Sequence, residues 1–415
     1  MAKYALVHGL MIDGTGAEPV KDSLVLVNDK KIEYAGEAKA FGDDYEVIDC
    51  TGKTVMPGLI DTHLHFSGNL TDSDIDWVVE SVAQKQACAV KQAWEALTHG
   101  LTTVCEIGRN GIAIRDLVNM GVMQGPRIFA TGLGFCRTAG HGDVHKLPPS
   151  VSKDGHPWGD QVDGPWELRK AIRLRLREEP DAIKIWATGG GIWRWDSSFD
   201  QLMSAEEIQA VCEECAMVHI PVWSHSYNNE KAAYDSVRFG CEQMIHGFQM
   251  DDRTMELMAE KGTFFTPTIA FLPTWYATYP PEDTEANAKF PGETTVEREL
   301  NRTYANLRRA QELGVPLTIG SDCFSFVTPY GDMTIGEMYD FVDKAGISIL
   351  ETIKAATYNG AAMVHKEDEF GSLKEGLLAD LLIVDGDVSQ DIHVLKTDNM
   401  DVIMKEGEII EKGSF

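Results

Sequence analysis

The chain has 415 residues, of which 43% are hydrophobic and 25% are charged, as is typical of a globular protein. Its 37 basic and 65 acidic residues give a formal net charge of −28. This charge argues against nucleic-acid binding, because phosphate contacts need clustered lysine and arginine. No apolar run reaches the roughly 18–20 residues that cross a bilayer, and the N-terminus lacks a signal-peptide pattern. Eight scattered cysteines predict free thiols in a reducing compartment, so we expect a cytoplasmic protein without a membrane partner.

Both ends of the chain have the pattern of short β-strands. Residues 4–7, 23–27, 31–36 and 46–49 predict strands, and the turn at residues 28–30 favours a hairpin. Near the other end, residues 379–385 predict a strand and residues 401–410 predict a hairpin that turns near Gly407. The two ends are therefore expected to form one β-rich unit, with the rest of the chain inserted between them.

The middle of the chain alternates predicted strands with predicted helices. Short apolar runs predict strands at residues 55–60, 101–106, 127–131, 182–187, 221–225, 243–246, 264–268 and 317–321. Helical patterns lie between them, at residues 76–99, 165–178, 204–219, 229–239 and 296–313. Eight strands in βα alternation predict an α/β fold of the (β/α)8 barrel type. The polar, proline-containing segment 276–295 predicts a long loop, a lid or a solvated insertion.

The pair His63 and His65 is the most informative feature of the sequence. Strand residues i and i+2 point the same way, so both imidazoles share one face at the end of an apolar strand. Alone, the pair is either half of a metal site or two ordinary polar residues. Active-site residues of a (β/α)8 barrel come from the C-terminal ends of its strands. Other predicted strands carry or precede the apolar-flanked Lys184 and three further residues of metal-ligand type, namely His225, His246 and Asp322.

These residues and their surroundings resemble the amidohydrolase superfamily. Residues 57–65, Pro-Gly-Leu-Ile-Asp-Thr-His-Leu-His, are similar to its signature. The segments 181–185, 224–225, 245–247 and 320–322 are similar to its later metal and catalytic positions, in the same order. The resemblance covers essentially the whole chain. It implies a TIM barrel at residues 57–365 and a small β-sandwich domain built from residues 1–56 and 366–415.

The resemblance also implies two divalent metal ions, with zinc as the expected metal. One ion would bind His63, His65 and Asp322, and the other would bind His225 and His246. Lys184 would bridge them as a carbamate formed with CO2, a reaction that needs the neutral amine that burial favours. The bridging water would become hydroxide, with Asp322 as general base and proton donor to the leaving amine. A mononuclear site would use only His63, His65, His225 and Asp322, but Lys184 favours two metals.

A narrower resemblance concerns the substrate contacts. Residues 139–143, Ala-Gly-His-Gly-Asp, and residues 225–227, His-Ser-Tyr, are similar to the prolidase-like and imidazolonepropionase-like subgroup, whose loop usually reads Gly-Gly-His-Gly. In that subgroup the loop histidine and the tyrosine contact the substrate, roles that fall here on His141 and Tyr227. Trp193 and Trp195 follow a glycine run and are either pocket walls or packing residues. Arg137 and Arg194 are candidates to bind a substrate carboxylate.

We therefore predict a metal-dependent hydrolase in which metal-activated hydroxide cleaves a C–N bond, that of a dipeptide or an N-acyl amino acid. One alternative is hydrolysis of a carbamate, a urea or an aromatic amide. Another is a mononuclear deaminase or cyclic amide hydrolase. A non-enzymatic scaffold homologue would typically have lost metal ligands, and all six are present here. The expected partners are a small-molecule substrate and further copies of the chain in a homo-oligomer.

Overall fold

The computed structural model describes residues 3–69, 79–148, 159–278, 295–324 and 329–413. Most of the predicted loop or lid at residues 276–295 lies outside these ranges. Its first three residues end a helix, and residue 295 begins another. None of the helices in the described part of the chain combines the length and the apolar character that a membrane-crossing segment requires.

The described residues form strands that are numbered here in chain order. They are β1 (Lys3–Met11), β2 (Val20–Asn28), β3 (Lys31–Glu37), β4 (Glu46–Asp49), β5 (Lys53–Pro57), β6 (Leu59–Leu64), β7 (Leu101–Glu106), β8 (Arg127–Ala130), β9 (Gly134–Cys136), β10 (Gly159–Gln161), β11 (Ile183–Trp186), β12 (Val222–Ser226), β13 (Gln243–His246), β14 (Phe264–Thr266), β15 (Leu381–Asp385), β16 (Met400–Lys405) and β17 (Glu408–Ile409).

The α-helices of the described residues are numbered in the same way. They are α1 (Val82–Thr98), α2 (Gly111–Asn119), α3 (Pro165–Arg175), α4 (Ala205–Ala216), α5 (Glu230–Phe239), α6 (Asp252–Lys261), α7 (Phe271–Thr278), α8 (Thr295–Leu313), α9 (Asp332–Asp343), α10 (Ile349–Ala355) and α11 (Tyr358–Met363). Short 3₁₀ turns occur at Leu176–Glu178, Ile392–Val394 and Thr397–Asn399.

Strands from both ends of the chain form one sheet, as the sequence predicts. Its order is β17-β16-β15-β5-β1-β2-β3, with β4 paired to β1. The predicted hairpins are confirmed, because β2 and β3 pair antiparallel, as do β16 and β17. Apolar side chains such as Leu6, Val25 and Ile383 fill the core of this sheet. The sandwich arrangement and the domain boundaries at residues 56–57 and 365–366 stay predictions.

The parallel strands of the middle segment form two further sheets, with helices between most successive strands. One sheet has the order β6-β7-β8 and the other β10-β9-β11-β12-β13-β14. The short strands β9 and β10 were not predicted, and β9 pairs with β11 through Phe135 and Ile185. The described chain is therefore of the α/β class.

The predicted strand at residues 55–60 is wrong as a single element. The chain divides it at Gly58 into β5, which pairs with β15 in the chain-end sheet, and β6, which pairs with β7. A Cβ atom at Gly58 would lie 2.2 Å from the Thr102 hydroxyl oxygen, so only glycine permits this close crossing. The segment that carries His63 thus enters its sheet directly from the chain-end sheet.

The predicted strand at residues 317–321 is largely irregular. Leu317 makes one parallel β-bridge with Phe265, and the remainder is not strand. Backbone hydrogen bonds nevertheless tie this segment to both neighbours, because Thr318 N–H donates to the Phe265 carbonyl and Thr62 N–H donates to the Ile319 carbonyl, each at 2.9 Å. The segment lies between β14 and β6. A closed eight-stranded barrel stays a prediction.

Several helices begin where a side chain caps the first turn. Ser81 caps α1, and Ser204 and Glu207 form a reciprocal capping box at α4. Such caps satisfy backbone N–H groups that have no partner within the helix. All eight cysteines are free thiols, as predicted, and seven of them are buried.

Candidate active site

The strand ends meet in one open cavity with about 530 Å³ of empty space, part of which is open solvent. All six predicted metal ligands line it, together with two of the predicted substrate contacts, His141 and Tyr227, and an apolar wall. The described lining residues are His63, His65, His141, Lys184, Trp186, Gly190, Ile192, His225, Tyr227, His246, Phe271, Asp322 and Phe324.

His63, His65 and Asp322 form one side of this cavity. The Nε2 atoms of His63 and His65 lie 3.1 and 3.0 Å from Asp322 Oδ1. The other ring nitrogen of His65 donates to the carbonyl of Ile107, at the end of β7, which orients the ring. The carboxyl of Asp61 accepts the backbone N–H groups of His63, at 2.9 Å, and Ser321, at 3.2 Å. Asp61 thereby joins the two segments that carry the predicted ligands His63 and Asp322.

His225 and His246 form the opposite side, at the ends of β12 and β13. Their ring centroids are 4.4 Å apart, and Tyr227 stacks on His246, also at 4.4 Å. His246 Nδ1 is hydrogen-bonded to the hydroxyl of Thr268 at 2.6 Å, which leaves Nε2 for a ligand. One ligand atom from each of His63, His246 and Asp322 lies within 4.8 Å of the others, so this group can bind a metal ion.

Lys184 extends into the cavity from the middle of β11. Its side chain is buried, and among the described residues its Nζ has no hydrogen-bond partner. Burial lowers the pKa of Lys184 from 10.5 to about 7. A neutral amine is therefore accessible near neutral pH, which is the form that reacts as a nucleophile.

The same burial keeps the imidazoles neutral. It lowers the pKa of His63 to about 3, with help from the nearby Lys184. Burial likewise lowers the pKa values of His225 and His246 well below the usual range. Burial alone would raise the pKa of Asp322, but its hydrogen bonds to His63 and His65 outweigh this and hold the pKa well below normal. Neutral imidazoles and an ionised carboxylate are the forms that bind divalent metals.

Three residues around the cavity adopt a left-handed backbone conformation. The φ angles are 70° for His246, 54° for Thr268 and 54° for Asp322. This conformation is unfavourable for residues other than glycine, and it is retained where the surrounding structure holds it in place. Here the positive φ angles turn the chain at two predicted ligands, His246 and Asp322, and at Thr268.

The loop after β9 brings His141 to the rim of the same cavity. Its ring stacks on His225 with centroids 4.8 Å apart. The departure from the subgroup's usual loop falls at Ala139, whose φ of 58° is a conformation that favours glycine. Ala139 nevertheless adopts this conformation, and its backbone N–H donates a hydrogen bond to the Asp143 carboxyl at 2.9 Å. The loop therefore positions His141 without the first glycine.

The remaining predicted substrate contacts do not line the cavity formed by the described residues. Trp193 is nearly buried and stacks on His145, with ring centroids 5.8 Å apart. Trp195 and Arg194 are exposed, and Arg137 is half-buried outside the lining. Their substrate roles stay predictions.

The apolar wall comes from residues that sequence reasoning did not single out. Trp186 lies two positions after Lys184 on β11. Alternate strand residues point to the same side, so the sequence could have indicated that Trp186 faces the cavity. Thr268, which is hydrogen-bonded to His246, could also have been found from the sequence, because it ends the predicted strand at residues 264–268. Ile192, Phe271 and Phe324 lie on loops or a helix start and have no such periodicity.

The donor set fits a divalent metal centre. Imidazole nitrogen and carboxylate oxygen are ligands of Zn²⁺ and related ions. Among the described residues, the buried His63 Nδ1 and Lys184 Nζ have no hydrogen-bond partner. Unpaired buried polar atoms are costly unless a ligand or water satisfies them. These two atoms therefore indicate that the polar groups of the cavity are arranged to bind a ligand rather than to pair with each other.

Comparisons with known proteins agree with this geometry. The amidohydrolase family profile matches residues 54–410. Ochratoxinase of Aspergillus niger is 28% identical over 95% of this chain and 84% of its own, and an imidazolonepropionase of Caldanaerobacter subterraneus subsp. tengcongensis is 23% identical over 89% and 85%.

Solved structures show the same relationship. The crystal structure of A. niger ochratoxinase superposes with a TM-score of 0.87 at 26% identity, covering 98% of this chain and 95% of that one. A Xaa-Pro dipeptidase with bound methionine superposes with a TM-score of 0.83 at 28% identity, covering 99% and 100%. The chain therefore belongs to the amidohydrolase family and is a hydrolase that acts on carbon–nitrogen bonds.

Proposed function

We propose that the protein is a binuclear metal-dependent amidohydrolase that cleaves the amide bond of a dipeptide or an N-acyl amino acid. The observation that carries this proposal is the buried amine of Lys184, which has no hydrogen-bond partner among the described residues and lies in the cavity that His63, His225, His246 and Asp322 also line. A mononuclear site has no use for a lysine there, whereas a carbamate on Lys184 would be an anion with two oxygens and would suit a centre of two metals.

The proposed ligands are divided between the two ions as the family resemblance implies. His63, His65 and Asp322 would hold one ion, His225 and His246 the other, and the Lys184 carbamate would join both. Divalent metals held there, zinc being the expected species, supply Lewis acidity that acidifies a water molecule and polarises a carbonyl.

The chain's own residues then move the proton and orient the substrate. The ionised Asp322 accepts a proton from the attacking water as its oxygen bonds to the amide carbon. When the C–N bond breaks, Asp322 returns this proton to the leaving nitrogen. His141 and Tyr227 bind the substrate's carbonyl or carboxylate oxygen at the rim of the cavity.

The choice of substrate rests on similarity and on the type of bond. The Xaa-Pro dipeptidase structure and the ochratoxinase sequence are each 28% identical to this chain. The first name denotes a dipeptide substrate, which agrees with a carboxylate-bearing amide.

A second candidate, hydrolysis of an aromatic carbamate, urea or amide, is favoured by the wall of the cavity. Trp186, Phe271 and Phe324 face the proposed metal ligands and are suited to an aromatic ring.

The test is hydrolysis by zinc-loaded protein of a library of dipeptides and N-acyl amino acids, with aromatic carbamates and ureas assayed alongside. We expect the highest kcat/KM for a carboxylate-bearing amide. A preference of tenfold or more for neutral carbamates or ureas would favour the second candidate. One tightly bound metal per chain, with activity that survives Lys184→Ala, would refute the binuclear site and favour a deaminase or cyclic amide hydrolase.

A further inference from the structure

Asp196 is a buried carboxylate that connects two loops at the rim of the cavity. Its side chain is inaccessible to solvent. One carboxyl oxygen, Oδ1, accepts the backbone N–H of Gly190 at 2.9 Å. The other, Oδ2, lies 2.8 Å from His141 Nδ1 and accepts the backbone N–H of Ile192 at 3.1 Å. The loop after β9 and the loop after β11 are thus tied together through one side chain.

The His141 ring is confined on two sides as well as being bonded to Asp196. One face stacks on His225, at an interplanar angle of 28°. The ring also lies against Gly190, where an added Cβ atom would be 1.9 Å from His141 Cε1 and 2.5 Å from Nε2. Gly190 does not have a positive φ, so glycine is needed there for space and not for backbone conformation. Stacking and close packing restrict how the ring can move, and the Asp196 bond determines which nitrogen is engaged.

We propose that Asp196 is a positioning residue for His141 in the reaction proposed above. A carboxylate can only accept, so it requires a hydrogen on Nδ1 and leaves Nε2 as the ring nitrogen available to the substrate. A buried carboxylate that fixes the tautomer and orientation of a histidine is the arrangement that also serves catalytic and metal-binding histidines. Asp196 itself does not line the cavity formed by the described residues, so it acts through His141.

The donor geometry defines the most informative substitution. Both Asp196 oxygens accept N–H groups, so an asparagine must place its NH2 group against at least one of these donors. Asp196→Asn therefore keeps the size of the side chain but disrupts either the Gly190 contact or the His141 and Ile192 contacts. Asp200→Asn is the matched control, since Asp200 is an exposed aspartate in the same loop.

The kinetic experiment is a double-mutant cycle in zinc-loaded protein with the best substrate from the library. We expect Asp196→Asn to lower kcat/KM by about 10- to 100-fold with unchanged zinc content, and Asp200→Asn to change it less than twofold. Combined with His141→Ala, Asp196→Asn should cause little further loss, because its effect passes through the histidine. An undiminished loss in the His141→Ala background would overturn the proposal.

The spectroscopic experiment needs no substrate and no Asp196 variant. Long-range ¹⁵N–¹H spectra of histidine-labelled, zinc-loaded protein should contain a ring whose Nδ1 carries the hydrogen and whose signals vanish in His141→Ala. A His141 ring with an unprotonated Nδ1 would refute the positioning role even if Asp196→Asn failed to fold. Because this measurement is independent of turnover, its failure is distinguishable from a failure of the proposed function.

Discussion

Lys184→Met is the substitution whose effect the structure predicts most directly. Methionine keeps much of the volume of the lysine side chain and removes the amine, which is buried and, among the described residues, unpaired. In metal-free protein kept free of CO2, this amine must either lose its proton or remain charged in a dry environment. Burial therefore lowers the pKa of Lys184 from 10.5 to about 7.

The sign of the effect follows from proton linkage. Between pH 7 and 10.5 the unfolded chain binds a proton at Lys184 that the folded chain does not, so the free energy of unfolding rises with pH across this window. Below pH 7 both states are protonated and the penalty is fully present. A fall in pKa from 10.5 to about 7 corresponds to about 5 kcal/mol, at about 1.4 kcal/mol per factor of ten.

The assay is urea denaturation of metal-free, CO2-free wild type and Lys184→Met at pH 6.5 and pH 10. The stability of the variant relative to wild type should be about 4 kcal/mol greater at pH 6.5 than at pH 10, because most of the linkage occurs between these values. Lys396→Met, which removes an exposed lysine, should show no such change. A change of less than about 1 kcal/mol for Lys184→Met would refute the inference that Lys184 is buried as a neutral amine.

Three further substitutions, with Gly191→Ala as a control, test the cavity. Gly190→Ala should lower kcat/KM about 100-fold, because the added Cβ atom displaces the His141 ring by an ångström or more. Gly191→Ala, the control, should retain activity and lose about 1 kcal/mol of stability, because Gly191 has a φ of 85°. Equal kcat/KM values for the two variants would refute the steric argument. Asp322→Asn should abolish turnover, and substantial residual kcat would contradict its role as base. Tyr227→Phe should raise KM or lower kcat with metal content preserved, and unchanged kinetics would exclude it as a substrate contact.

The residues of the candidate site were easier to predict from the sequence than the strand boundaries and loops around them. Parallel strands bring their C-terminal ends to one edge, so ligand-type residues at the ends of apolar runs identify a shared site before any distance is known. His63, Lys184, His225 and His246 all belong to the strands β6 and β11 to β13 and line one cavity. Each is marked by an apolar run that a local pattern reveals.

Strand boundaries and loop contacts were less predictable. The division of residues 55–60 at Gly58 depends on the close approach of Thr102, which is about forty residues away along the chain. The two tryptophans after the glycine run have the composition of a pocket wall, yet the loop turns Trp193 onto His145 and Trp195 into solvent. Loop direction depends on contacts between distant segments, which no local periodicity encodes.

The sequence by itself determined the α/β class, the family and the residue types of a candidate metal-binding cavity, because apolar periodicity and ligand spacing are local properties of the chain. Only the tertiary structure decided the pKa values of those residues and the hydrogen bonds that position them. Burial of Lys184 lowers its pKa, Asp61 joins the segments of His63 and Asp322, and Asp196 connects the loops that hold His141. Such effects arise from desolvation and from hydrogen bonds between segments far apart in sequence, so they exist only once the chain has folded.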